Sequence, residues 1–246
     1  MTACDQAPIP GCRRRAVLAA IGAFSVMLSA PARAETDPER LVERSRLVLA
    51  SFIEASDSSG FAERLRHAAG IFIVPSLLKA GLILGGEGGD GVVLARRDDG
   101  SWSTPAFYMI GAGSLGLQLG FQQSDVVFLF TSRRALDAVI DSSLKLGADA
   151  SFAIGPLGRG IEGSTTAVLG ADIIAYSRAE GLFVGGALEG AIIMPKTSWN
   201  LAYYRTLANP REILFDVRVA HPHAQPLQRL LPFDDAGPAL RPPARL

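Results

Sequence analysis

The side chains able to do chemistry are few and dispersed along this 246-residue chain. Histidine occurs only at 67, 221 and 223. His67 follows Glu63 by one helical turn, the spacing of a surface pair. His221 and His223 flank Pro222, with no cysteine or carboxylate beside them to complete a metal-ligand set. Three strings satisfy the dinucleotide pattern GxGxxG: GAGSLG at 111–116, GEGGDG at 86–91 and GRGIEG at 158–163. A pyrophosphate site needs a strand before the glycines and a helix N-terminus after them. The residues after Gly116 alternate with period two instead, so that reading fails. The nearest approach to a nucleophile elbow is AGSLG at 112–116, with Ala112 where the first glycine belongs. Carboxylates are scattered without an acid/base pair. The expectation is a protein with no catalytic residues, no metal and no cofactor.

Cations are more informative by position than by number. Lys+Arg and Asp+Glu both total 24, so no global basic field draws the chain to nucleic acid. Lys79 is the lone base between Ile71 and Val93. Arg96, Arg97, Arg133, Arg134 and Arg159 stand at strand edges or helix starts. Taken singly, each reads as a solvated cap or surface pair. Arg133 and Arg134 oppose the helix dipole where they stand, unless an anion or a carboxylate such as Asp137 offsets them.

The elements that must position these groups follow from periodicity. Thr36, Pro38 and Glu39 form a capping box with proline in the first turn, which predicts an amphipathic helix over 38–55. Its polar face mixes Arg40, Arg44 and Arg46 with Glu39, Glu43 and Glu54. A second short helix is expected over 61–69, ended by Gly70. Residues 71–74 read as a strand stopped by Pro75. The glycine cluster at 85–91 reads as a hairpin tip between strands at 82–84 and 92–94. Residues 115–122 alternate as one strand with a Gly/Gln face that lets another backbone approach. Residues 126–130 read as a buried strand, and Ser132 caps a helix closed by Gly147. Further strand-like segments span 151–154, 165–176 and 182–194, with short helical pieces from 197 and 209. Helices, strands, one helix and more strands predict an α+β fold with N-terminal amphipathic helices on a largely antiparallel, glycine-rich sheet.

The N-terminus has its own logic. Arg13, Arg14 and Arg15 precede an apolar run at 16–30, and Ala32-Arg33-Ala34 supplies a small-x-small cleavage pattern. The run is short for a bilayer-spanning helix. Twin-arginine export, general secretion and a retained anchor all fit. Cleavage after Ala34 would remove both cysteines, four arginines and one aspartate, leaving a slightly acidic chain without thiol chemistry. The expected division is an export signal at 1–34, a single domain at 35–233, and a Pro-rich disordered tail at 234–246. The expected location is the periplasm or cell envelope.

An ordered series of strings resembles the SYLF domain family. It runs VPSLLKAG at 74–81, GVVLAR at 91–96, GSWSTP at 100–105 and GSLGLQLG at 113–120, then DVVF at 125–128 and LGADA at 146–150. AIGPLGR at 153–159, YSRAEGLF at 176–183 and LEG at 188–190 follow, with a further match over 199–210. The resemblance implies binding to phospholipids, phosphoinositides in eukaryotic members, and to actin in fungal adaptors; it carries no known reaction. It also implies that a basic N-terminal helix meets the membrane, yet here that helix is nearly neutral on its polar face. The functional expectation is a non-catalytic binder of phosphoinositide-like anionic lipid in a bacterial envelope, with an actin partner implausible for an exported chain. The alternative is an envelope interaction module that docks a partner protein or a second copy. Lys79 and Arg159, inside matching strings, are the first candidate head-group ligands, followed by Arg40, Arg44 and Arg46, then Arg96 and Arg97. The apolar face of the 38–55 helix, or an apolar groove, would take acyl surface.

Overall fold

Three apolar runs, at 71–74, 92–95 and 126–130, lie at the centre of one eight-stranded sheet covered on both faces. Two-sided burial is why they read as continuous runs instead of alternating. The computed structural model describes residues 36–233 apart from 56–59, 82–83, 116–119, 142, 156–169, 179–187, 189 and 217–218. The export segment and the tail from 234 therefore lie outside the described residues, as does most of the strand expected at 182–194.

The strands are β1 (Gly70–Gly81), β2 (Leu84–Ala95), β3 (Ala106–Leu115), β4 (Gly120–Phe130), β5 (Leu144–Lys145), β6 (Phe152–Ile154), β7 (Ile173–Arg178) and β8 (Ile192–Pro195). Their spatial order is β5-β8-β3-β2-β1-β4-β7-β6. Every pairing is antiparallel except β6 with β7. The edge strands β5 and β6 are joined by a short connection in which Leu146 bridges Ala150. Flat, eight strands would hold those edges about 34 Å apart. The seven Cα steps from Lys145 to Phe152 reach at most about 25 Å. The sheet must curl.

The helices are α1 (Asp37–Glu54), α2 (Phe61–His67), α3 (Arg133–Asp141), α4 (Thr197–Tyr204), α5 (Pro210–Phe215) and α6 (Gln225–Gln228). The capping box of α1 is present: Thr36 accepts from the Glu39 amide and Glu39 accepts from the Thr36 amide. Its apolar stripe, Leu41, Val42, Val48, Leu49 and Phe52, packs on the sheet face carrying Ile71, Ile73, Val92, Leu94, Phe107 and Val127. Each such side chain contributes at most about 1.5–3 kcal/mol of burial. The opposite face, with Phe72, Val74, Val93, Tyr108, Val126 and Phe128, is covered by Leu136, Val139 and Ile140 of α3 and by Ile213 and Leu214 of α5. Asn200, 1% exposed, extends the β3 ladder: its Oδ1 accepts from the Phe107 amide at 2.8 Å and its Nδ2 donates to the Phe107 carbonyl at 3.3 Å.

Several sequence expectations need correction. Gly70 opens β1 instead of closing α2, which ends at His67. Pro75 does not stop β1. The strand passes it through a bulge, its registers shifting between Ile73 and Leu78 against β2 and between Val74 and Leu77 against β4. Proline can lie in a central strand only at such a break, because it has no N–H to give. The glycine cluster at 85–91 is not a hairpin tip but the body of β2, paired to β1 on one side and β3 on the other. Residues 115–122 are not one strand: Leu115 ends β3 and Gly120 opens β4. The helix capped by Ser132 ends at Asp141, before Gly147, and Leu144 belongs to β5.

Candidate functional site

The bulge in β1 creates the most site-like feature among the described residues. Ser76 takes φ 73°, and its amide donates to Asp125 Oδ1 at 3.1 Å. Beyond the bulge Leu78 lies opposite Gly88, on the face that α1 covers further along the sheet. There the N-terminal half of α1, the bulge, β2 and β3 bound a groove of about 570 Å³. Such a volume falls within the range of small-molecule sites.

Its composition is two-sided. Arg40, Leu41 and Arg44 of α1 form one wall, with Asp37 at the helix start. Pro75, Leu78 and Met109 supply apolar surface, Trp199 of α4 closes one side, and Ile110 borders the groove while its side chain lies in the core of the opposite face. Leu78 and Met109 remain 39% and 38% exposed. Gly88 and Gly111 leave the floor without side chains.

The charges differ in their commitments. Arg40 pairs with Asp37. Arg44 is exposed and has no ion pair among the described residues. Asp90 lines the groove and holds Lys196 Nζ at 2.7 Å, and that ammonium lies 3.5 Å from the Trp199 ring. Glu87 also borders the groove, but the pleat aims its side chain to the α3 face, directly opposite Lys79. It is 8% exposed, and its Oε1 has no hydrogen-bond partner. Burial pushes its carboxyl above the usual range, with the Lys79 charge opposing.

The sequence candidates separate accordingly. Arg40 and Arg44 meet at the groove, whereas Lys79 is half-buried on the other face of the sheet beside Glu87. Arg159 lies outside the described residues. Arg46 is held by Glu43, its Nε 2.9 Å from Oε2. Arg96 is a clamp: its guanidinium donates to the carbonyls of Ala68, Leu65 and Pro232 at 2.9, 3.0 and 3.3 Å, and lies 4.5 Å from the Trp102 ring. Arg97 donates to the Trp102 carbonyl at 3.4 Å. Arg133 and Arg134 are offset by carboxylates, Arg134 by Asp172 at 2.8 Å and Arg133 by Asp98 and Asp137 at 3.7 and 3.8 Å. The apolar face of α1, expected to take acyl surface, is already buried against the sheet. Met109, Asp90 and Trp199 were not foreseen as site residues. Besides Arg40 and Arg44, the glycine pattern and the Leu78-Lys79 string pointed towards this region.

Comparison with known proteins decides the family. A model for the Ysc84 family, described as Las17-binding protein actin regulator, matches residues 111–232. Over 198 residues the chain is 34% identical to the protein YSC84 of Saccharomyces cerevisiae, covering 77% of this chain and 42% of that protein. The chain belongs to the SYLF family, that of Ysc84. An SH3 domain-containing protein of Schizosaccharomyces pombe is 35% identical over 193 residues, 75% of this chain and 44% of that protein. The human SH3 domain-containing YSC84-like protein 1 is 31% identical over 195 residues, 77% of this chain and 57% of that protein. This SYLF chain thus spans about half the length of the curated relatives it matches. Two of those relatives are named for SH3 domains, and the family is described as a Las17-binding actin regulator.

Proposed function

We propose that this SYLF domain is a non-catalytic binding protein for anionic phospholipid, exported to the bacterial cell envelope. One observation carries the reading: Arg40 and Arg44 stand together on the wall of a groove whose remaining surface is largely apolar. Guanidinium groups suit phosphate, to which they donate in pairs. Arg44, without an intramolecular ion pair among the described residues, is the principal head-group ligand, and Arg40 supports it. Lys79 and Arg159 remain secondary candidates from the family strings. Arg96 is left out, because its donors are occupied by carbonyls. The export reading rests on the arginine, apolar and small-residue order of residues 13–34.

Vesicle flotation with phosphatidylglycerol or cardiolipin tests the reading. Binding is expected at low salt, weakening as salt screens the arginines. No flotation with any anionic vesicle at low salt would remove the proposal. A second reading, a protein-docking module, draws on the family's description as Las17-binding. A stable lipid-free self-assembly in light scattering, without vesicle binding, would favour it.

A further inference from the structure

The β2–β3 pair carries a patch of bare backbone. Gly86 lies opposite Gly113, and Gly88 opposite Gly111. Strand alternation places all four on the α1 face, in step with Val92 and Phe107. A Cβ at Gly86, Gly88 or Gly111 would meet nothing closer than 3.4 Å, and one at Gly113 nothing within 4 Å. None of the four has positive φ. Neither packing within the described residues nor backbone conformation therefore calls for glycine here. The alternate glycines are the opposite case: a Cβ at Gly91 would lie 2.4 Å from the Ile73 carbonyl oxygen.

Gly88 and Gly111 are floor residues of the groove, between exposed Leu78 and Met109 and below Arg44. Glycine in a strand interior weakens it unless something approaches the backbone closely. Gly88 and Gly111 leave the floor between Leu78 and Met109 without side chains, and Arg40 and Arg44 stand on the α1 wall beside Asp37. We propose that the groove withdraws one acyl chain of an anionic phospholipid from the bilayer and lays it across Gly88 and Gly111, with the phosphate on Arg44. This rests on the phospholipid reading above and adds to it the chain-binding surface and the two residues that set its width. The anionic head complements Arg44, and the tail covers Leu78 and Met109, which no described element buries fully.

The test uses phosphatidylglycerol vesicles whose acyl chains carry bromine at mid-chain, a short-range quencher of indole. Trp199 borders the groove and is the reporter; the Trp199→Phe variant gives the Trp102 background. Quenching beyond that background is expected in the native chain. It should be lost in Gly88→Val/Gly111→Val, which fills the floor, while flotation falls only to the part that the arginines hold. The single Gly88→Ala and Gly111→Ala variants, with less added bulk, should give intermediate quenching. Flotation without Trp199 quenching would overturn chain binding and leave surface association standing, as would undiminished quenching in a folded, floor-filled variant. Absence of both flotation and quenching would overturn both readings.

Discussion

Gly91 of β2 lies so close to Ile73 of β1 that a single added carbon would sit 2.4 Å from the Ile73 carbonyl oxygen and 2.6 Å from the Phe72 ring. The approach lies beside the point where the β1–β2 register breaks after Ile73. Gly91→Ala must push backbone against backbone, and a loss of about 1–3 kcal/mol in urea unfolding is expected. Gly88→Ala and Gly111→Ala should instead leave stability unchanged or raise it by about 0.4–1 kcal/mol, since the unfolded chain loses freedom and the folded chain has room. Equal losses at all three positions would show that the floor glycines are structural.

Asn200 and Phe107 give a second prediction. The Asn200 carboxamide occupies both backbone groups of Phe107 where β8 has ended and α4 begins. Asn200→Leu keeps the volume but strands the Phe107 amide in the core. The expected cost is about 1–3 kcal/mol, read by denaturant unfolding. Asn200→Asp should also destabilise, because a carboxylate can accept from the amide but cannot donate to the carbonyl.

The starts of α1, α2, α3 and α5 were legible in the sequence because their signals are local, whereas the ends of α2 and α3 were not. Thr36, Pro38 and Glu39 start α1, and Asn209, Pro210 and Glu212 form the same device for α5. The glycine-rich strand was not. Glycines 85, 86, 88, 89 and 91 have poor strand propensity, and only pairing to β1 and β3 at once overrides it. Pro75 misled for a related reason, since a bulge is defined by its partners and not by its own residues. The groove gathers α1, the β1 bulge, β2, β3 and α4, which no spacing in the sequence brings together. Arg96 looked like a ligand because nothing local reveals that the carbonyls of Leu65, Ala68 and Pro232 surround it.

Glu87 sets a pH dependence. Burial raises its folded-state pKa above the ordinary value of 4.5, so the folded protein holds this proton more tightly than the unfolded chain. That preference stabilises the fold fully below the unfolded pKa and is lost as pH rises through the folded value. Glu87→Gln removes the titration. The stability gap between Glu87→Gln and the native chain should therefore shift in favour of the variant as pH rises from 4 to 8. Thermal unfolding across that range measures it. A gap independent of pH would mean that Lys79 fully compensates the charge.

Arg44 and Arg96 should separate function from folding. Arg44 is exposed on the groove wall with no ion pair among the described residues, so Arg44→Ala removes little from the folded state. A base near an anionic surface contributes about 1 kcal/mol, so vesicle partitioning should fall roughly fivefold while the melting temperature stays put. Arg96 is the reverse. Its three carbonyl acceptors belong to the end of α2 and to Pro232, and Arg96→Ala leaves them without that donor. Hydrogen bonds from a charged donor contribute about 1.5–3 kcal/mol, so Arg96→Ala should lower the melting temperature while vesicle binding of the folded fraction is retained. The salt dependence gives an independent check, because removing a true phosphate contact flattens it and removing a structural clamp does not. If Arg96→Ala abolishes binding in protein that is still folded, the head group is held at the α2 end of the sheet and not at the groove.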